Sequence, residues 1–143
     1  MLAAMTEPDC VFCKIIAGQI PGTVVAEADR AVAIMDINPA TRGHVLVLPR
    51  SHAPDLFHIP AEDLTAVTLL GQEMARRARE RLGAEGVNLI QSNGRIAWQS
   101  VFHLHLHVIP RYADDPLVLP WTPAPGDPQE ISAAAAALRY STP

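Results

Sequence analysis

One long segment of the chain has the hydrophobic pattern of a helix with a single buried face. Between residues 60 and 82, apolar side chains recur every three or four positions, which is the period of an α-helix. Acidic residues lie in its first turn and arginines lie toward its end, and both arrangements are favoured by the helix dipole. Gly83 follows and is a typical residue for ending a helix. The predicted buried stripe consists of Leu64, Val67, Leu70, Met74, Ala78 and Leu82.

Shorter apolar or β-branched runs predict strands. They cover residues 23–27, 31–36, 44–48, 87–91 and 101–110. The first two runs flank a three-residue turn and predict an antiparallel hairpin, and Pro49 ends the third. A short helical turn is predicted over 14–17. Prolines interrupt the chain beyond residue 115, before an alanine-rich helix over 131–139 that Asp127 caps.

Composition places the chain among folded proteins without a membrane or nucleic-acid partner. Its 143 residues are 49% hydrophobic and 18% charged, which suits one domain and excludes intrinsic disorder. The net charge of −4 argues against broad electrostatic binding to DNA or to anionic lipid. No apolar run reaches the roughly 18–20 residues of a membrane span, and the first residues lack the features of a secretion signal. We therefore expect a soluble cytoplasmic protein.

Three histidines alternate with two leucines in the last predicted strand. Because side chains alternate along a strand, His103, His105 and His107 point to one face while Leu104 and Leu106 point to the other. Successive histidines lie roughly 6.7 Å apart along a straight strand, so one zinc ion with bonds of about 2 Å cannot bind all three. At most one neighbouring pair could share an ion, and three imidazoles in strict register indicate a functional site rather than structural histidines.

A pair of cysteines forms the second candidate group. Cys10 and Cys13 have the C-x-x-C spacing of half a metal site or of a redox pair. A thioredoxin-like pair would need a parallel βαβ unit, which these strands do not predict. A closed tetrahedral zinc site needs two further ligands. Candidates are His44, His52, His58 and the three strand histidines.

These segments together resemble the histidine triad superfamily of nucleotide-binding hydrolases and transferases. The matching text is CVFCKIIAG with Ile20-Pro21, then DINP and GHVLVLPR, and then QSVFHLHLHVIPR. The resemblance implies an α+β fold, with a five-stranded antiparallel sheet, one long helix and a short N-terminal helix, in a homodimer. It covers residues from about 10 to 112 of a predicted single domain 1–143, leaving a Pro-rich and Ala-rich tail at about 113–143.

The resemblance also implies a reaction. His105 is then the nucleophile that attacks the α-phosphate of an adenosine nucleotide, and water releases AMP from the resulting nucleotidyl-histidine. A neutral imidazole is a competent nucleophile near pH 7. His44 orients the site, His107 donates to the phosphate, and Ser100 lies near the leaving group. The implied substrate contacts are Asp36 for the ribose and, for the base, Val11, Phe12, Ile15, Ile34 and Ile37. Further implied contacts to the substrate are Ser92, Asn93 and Gln99.

Cysteine-bearing members of the superfamily bind structural zinc through two cysteines and two histidines. Carried over residue by residue, the ligands of one zinc ion per chain are Cys10, Cys13, His52 and His103. The division that the resemblance implies agrees with the spacing, because no single ion must span the three strand histidines.

Two positions depart from the superfamily pattern. Trp98 stands where glycine is usual, and it either narrows the leaving-group side or reaches over the site. Ser92 stands where many members have a nucleotide-contacting asparagine, with Asn93 one place later.

The leading hypothesis is therefore a nucleoside phosphoramidase. The alternatives are a dinucleoside polyphosphate hydrolase and a nucleotide-binding module with little catalysis.

Overall fold

A five-stranded antiparallel sheet is the centre of the fold. The computed structural model describes residues 5–139, so both ends of the predicted domain 1–143 lie outside the described residues. Along the sheet the strands follow the order β1-β2-β3-β5-β4. The helices and strands are α1 (Val11–Ile16), β1 (Val24–Glu27), β2 (Ala31–Met35), β3 (Val45–Pro49), α2 (Ala61–Leu82), β4 (Gly86–Gln91), a 3₁₀ helix (Arg95–Ala97), β5 (Leu106–Arg111) and α3 (Pro128–Arg139). The predicted α+β fold is confirmed.

The long helix α2 covers one face of the sheet. Its buried positions include Val67, Leu70 and Met74, which pack against Val47 of β3 and Val108 of β5. The apolar period of the sequence therefore marks the correct face, and Gly83 ends the helix in the left-handed conformation.

Asp63, in the first turn of α2, has a partner that the helix-dipole argument did not identify. It is buried and accepts a 2.9 Å hydrogen bond from Arg30, in the β1–β2 turn. This ion pair joins the start of the helix to the hairpin.

The opposite face of the sheet carries a second apolar layer, built on α1. Phe12 and Cys13 of α1 pack there with Val32, Ile34 and Leu46, whose side chains alternate with those facing α2. The helix starts at Val11 rather than at Lys14, because the Cys10 sulfur caps it by accepting from the Cys13 amide at 3.4 Å. The cysteine pair thus sits at a helix N-terminus beside the sheet.

The strand predicted over 101–110 was wrong at its beginning, because β5 starts only at Leu106. The segment before it bends, and the Leu104 amide bonds to the Ala53 carbonyl at 2.7 Å instead of to a strand. Alternation nevertheless persists: Leu104 and Leu106 belong to the layer under α2, whereas Phe12, on the other face, contacts the His103 and His105 rings. The prediction that the imidazoles share one face is confirmed.

The remaining described segments lie at the periphery. Strand β4 forms an edge of the sheet with Leu89 and Ile90 exposed, and homodimerisation through any surface stays a prediction. Helix α3 buries none of its residues. Of the helices within residues 5–139, none combines the length and apolar character that crossing a bilayer requires.

Candidate active site

A cavity of about 550 Å³ opens on the α1 face of the sheet. Nine of the predicted site residues line it: Val11, Phe12, Ile15, Ile34, Asp36, Ile37, Ser100, His105 and His107. The wall also contains residues that were not predicted, namely Ile20, Pro21, Gly22, Thr23, Met35, Asn38, Leu46 and Val101. Leu46 could have been found from strand alternation, because it pairs with His107 in the sheet. The predicted apolar residues and the imidazoles of His105 and His107 therefore line the same cavity.

The protons of His105 are placed by a single backbone contact. Its Nδ1 lies 2.9 Å from the carbonyl oxygen of His103, and a carbonyl can only accept, so Nδ1 carries the proton. In a neutral ring the Nε2 lone pair is then free. Burial lowers the pKa of His105, and this favours the neutral ring. The side chain is a cavity-lining imidazole in its nucleophilic form.

A chain of hydrogen bonds fixes the protons of His44 and His107. The Ala40 amide donates to Nδ1 of His44 at 2.9 Å, so the proton of neutral His44 resides on Nε2. That Nε2 lies 2.9 Å from Nδ1 of His107 and donates to it. The proton of neutral His107 is therefore on Nε2, away from the relay. The relay makes His107 a hydrogen-bond donor within the cavity wall.

Burial keeps this relay neutral. It lowers the pKa of His44 despite the nearby Asp36 carboxylate, and it lowers the pKa of His107 to about 4, with help from His105 and His44. An imidazole with such a pKa donates one N–H without carrying a charge at pH 7. The wall can thus bind a phosphate oxygen by neutral donors.

Asp36 completes this corner of the cavity. One carboxylate oxygen accepts from the Asn38 amide at 2.8 Å, and the other lies 3.5 Å from Nε2 of His44. Asp36, His44 and His107 are close enough to suggest a metal site. The amide of Ala40 opposes that reading, because a metal on Nε2 of His44 would force the proton onto Nδ1, against another donor. The trio is better described as a proton-ordering relay.

A separate cluster unites Cys10, Cys13, His52 and His103. Nδ1 of His103 lies 3.4 Å from the Cys10 sulfur, 3.5 Å from the Cys13 sulfur and 3.2 Å from Nδ1 of His52. Tetrahedral zinc with bonds of about 2.0–2.3 Å places its ligand atoms roughly 3.3–3.8 Å apart. The observed donor set therefore fits one zinc ion, with every ligand position filled by protein.

The protons of this cluster also suit a metal. Nε2 of His103 donates to the Pro49 carbonyl at 2.9 Å, which leaves the Nδ1 lone pair directed at the two sulfurs. Burial raises the pKa of the Cys13 thiol, whereas a bound dication would favour the thiolate. His58, an alternative ligand by sequence, is exposed and bonds to Asp55 instead.

Three predicted contacts lie outside the described cavity wall: Ser92, Asn93 and Gln99. The Asn93 side chain bonds to the Leu56 amide and to Gln91. The Gln99 amide is buried, donating to the Pro54 carbonyl at 2.6 Å and accepting from the Gly94 amide at 2.8 Å. These side chains brace the loop between β4 and the histidine segment. Their contact with substrate stays a prediction.

Comparisons with known proteins agree with this geometry. A family model described as "HIT domain" matches residues 17–114. An uncharacterized HIT-like protein of Mycobacterium tuberculosis is 46% identical over 108 residues, covering 76% of this chain and 75% of that protein. The adenosine 5′-monophosphoramidase of Schizosaccharomyces pombe is 37% identical over 125 residues, covering 87% and 91%.

A solved zinc-bound structure is similar to this chain in both fold and sequence. The Zn-bound histidine triad family protein from Mycobacterium smegmatis has a TM-score of 0.74 and 41% sequence identity, covering 92% of this chain and 96% of that one. With more than half of the residues matched by the family model, the chain belongs to the HIT domain family, also known as the histidine triad family.

Proposed function

We propose that this protein hydrolyses an adenosine 5′-phosphoramidate and releases AMP through a nucleotidyl intermediate on His105. The observation that carries the proposal is the fixed tautomer of His105. Its Nδ1 proton is bound by the His103 carbonyl, so the Nε2 lone pair is available beside the cavity. The relay from Ala40 supplies a donor N–H on His107 for a phosphate oxygen.

The proposed reaction has two displacements. In the first, Nε2 of His105 forms a bond to the α-phosphorus while the P–N bond breaks, and the leaving nitrogen takes up a proton from solvent and departs as the amine. In the second, water attacks the same phosphorus and gives up a proton to solvent, the bond to Nε2 of His105 breaks, and AMP leaves. Ser100 and Asp36 both line the cavity. In the proposed complex, Ser100 lies near the leaving group and Asp36 accepts from the ribose hydroxyls.

The base is proposed to bind in the apolar part of the cavity. Val11, Phe12, Ile15, Ile34 and Ile37 supply this surface from α1, β2 and the following loop. Flat apolar contacts of this kind suit a purine ring.

Zinc is proposed to bind to Cys10, Cys13, His52 and His103, where it would tie α1 to the histidine segment and take no part in bond breaking. Because protein donors fill four positions, the site leaves no open position for water.

The charge of the cavity favours a phosphoramidate over a dinucleoside polyphosphate. The described residues that line it include no lysine or arginine, and Asp36 contributes a negative charge. Several bridging phosphates would bring more negative charge than these neutral imidazoles can offset. The name of the yeast relative, an adenosine 5′-monophosphoramidase, supports the same choice.

A test follows AMP release from adenosine 5′-phosphoramidate. Wild-type protein should turn over, and rapidly quenched reactions should contain a transient adenylyl adduct on His105 by intact-mass and peptide mass spectrometry. His105→Ala should bind AMP but lose at least about 10³-fold in turnover, because no other side chain supplies the nucleophile.

His58→Ala is the matched control, since that histidine is exposed and bonds only to Asp55 among the described contacts. Equal turnover by His105→Ala and wild type would refute the proposal. Nucleotide binding without turnover or adduct would favour a binding module instead.

A further inference from the structure

Thr41, in the loop between β2 and β3, is a buried polar residue outside both the described cavity wall and the cysteine–histidine cluster. Its hydroxyl donates a 2.6 Å hydrogen bond to the carbonyl of Pro110 in β5. The paired residues of β3 and β5 end at Val45 and Val108 on this side of the sheet. The hydroxyl therefore joins the loop to β5 beyond the end of the paired strands.

The turn that Thr41 begins leads directly to His44. The His44 amide donates to the Thr41 carbonyl at 3.2 Å, and Gly43, the third residue of this turn, has a φ of +86°. A positive φ at the third position is typical of a tight turn of this kind. Because the Thr41 side chain holds one end of the turn on β5 and β3 continues from the other, the backbone of His44 has a fixed position.

Ala40, whose amide selects the tautomer of His44, directly precedes Thr41 in the chain. The hydrogen bond from the Ala40 amide to Nδ1 of His44 closes across the same turn at 2.9 Å. His107, at the other end of the relay, belongs to β5, which is the strand that the Thr41 hydroxyl contacts. One hydroxyl thus ties the loop that orders the protons to the strand that carries the last imidazole of the relay.

A second side chain also holds this turn, but from the surface. The Tyr112 hydroxyl donates to the Arg42 carbonyl at 2.8 Å, in an exposed contact where water competes. Without the Thr41 hydroxyl, in contrast, the buried contact to the Pro110 carbonyl would be lost and that acceptor would lack this partner. The Thr41 contact is therefore the stronger of the two tethers.

We propose that Thr41 is a positioning residue for the reaction at His105, and that its hydroxyl keeps the Ala40 amide on His44. This inference rests on the proposed function, because that reaction uses the N–H of His107 as a donor to phosphate. Thr41 contacts no reacting atom and acts only through the loop.

Loss of the tether would let the relay reverse. Without the Ala40 amide in place, neutral His44 can carry its proton on Nδ1 and accept at Nε2. Nδ1 of His107 would then donate to His44, and Nε2 of His107 would present a lone pair instead of a proton. Each ring keeps one proton, but the cavity loses the N–H that the phosphate oxygen requires.

The first test reads the tautomers directly and needs no turnover. Long-range proton–nitrogen NMR spectra of isotopically labelled protein, near neutral pH, distinguish the protonated from the unprotonated nitrogen of each ring. In wild type, His44 and His107 should both be protonated on Nε2. Thr41→Val should shift both rings toward protonation on Nδ1, whereas Thr41→Ser should keep the wild-type pattern.

The second test measures kcat and KM for AMP release from adenosine 5′-phosphoramidate. Thr41→Val should lower kcat about tenfold and change KM less than about twofold, because a donor to phosphate acts most strongly on the charge of the transition state. Thr41→Ser should restore kcat, since it restores the hydroxyl. A merely structural role would lower Tm and leave kcat of the folded protein unchanged.

Thr68→Val is the matched control. The Thr68 hydroxyl is exposed and bonds to the Leu64 carbonyl within α2, so this variant should match wild type in tautomers and kcat. Tyr112→Phe removes the exposed tether and should lower kcat less than Thr41→Val does. Thr41→Ala is a second truncation if valine prevents folding.

Two results would overturn the inference. One is a wild-type tautomer pattern in folded Thr41→Val or Thr41→Ala, and the other is an equal loss of kcat in Thr41→Val and Thr41→Ser. An absence of turnover in wild type would contradict the proposed function instead, and the tautomer spectra would still decide whether Thr41 orders the relay.

Discussion

Backbone groups, at the scale of single residues, decide which nitrogen of each buried imidazole carries its proton. The carbonyl groups of Pro49 and His103 accept from His103 and His105, and the Ala40 amide donates to His44. Three chemically identical rings thereby become suited to the different roles proposed for them, as metal ligand, nucleophile and relay. The sequence could predict that the histidines differ, from their spacing, but not which nitrogen is free. Every residue has a backbone carbonyl and nearly every residue has a backbone amide, so the residue types do not reveal which of these groups bonds to an imidazole.

The stability of the fold should depend on pH through the imidazole of His107. The folded-state pKa of His107 is about 4, whereas an unfolded histidine titrates near 6.5. Between these values the unfolded chain binds the proton and the folded chain does not, so stability falls as pH drops from about 6.5 toward 4. Urea unfolding at a series of pH values should show this decline. His107→Asn should reduce the slope, and an unaltered slope would argue against burial as its cause.

At the scale of elements, hydrophobic period located α2, which buries one face, and continuous apolar runs located β2 and β3, which are buried on both faces. The strand prediction failed where tertiary contacts replaced the hydrogen bonds between neighbouring strands. Residues 101–105 have a strand-like sequence, yet Leu104 bonds to Ala53, and His103 turns to the cysteines. The ion pair between Arg30 and Asp63 was also not predicted, because nothing in the sequence near either residue identifies the other as its partner.

The turn before β3 should tolerate no side chain larger than hydrogen. Gly43 has a φ of +86°, and a Cβ there would overlap the Leu82 side chain at the end of α2. Gly43→Ala should therefore lower the free energy of unfolding by about 2–3 kcal/mol, combining backbone strain with steric overlap.

Gly18→Ala is the matched control for urea unfolding. Gly18 has a similar φ of +75°, but a Cβ would meet nothing within 4 Å. It should cost only about 1 kcal/mol, from strain alone. Equal losses for the two variants would show that contact with α2 contributes nothing.

For the whole molecule, the cysteine–histidine cluster brings together segments that are far apart in the chain. The proposed zinc ligands come from α1 and its N-cap, the loop after β3 and the histidine segment. Metal removal should lower the free energy of unfolding by at least about 2 kcal/mol, or roughly 5–10 °C in Tm. His52→Ala should lower metal content by elemental analysis, whereas His58→Ala should retain one zinc per chain. Full occupancy in His52→Ala would exclude that ligand.

The alternation of imidazoles and leucines has a consequence for insertions and deletions in the histidine segment. From His103 to His107 one face carries the three imidazoles, while Leu104 and Leu106 on the other help to fill the layer under α2. Substitution can alter one face and spare the other. Insertion or deletion of a single residue cannot, because it would turn leucines into the cavity and imidazoles into the core. Within this segment, the spacing of imidazoles and leucines is therefore constrained by both faces at once.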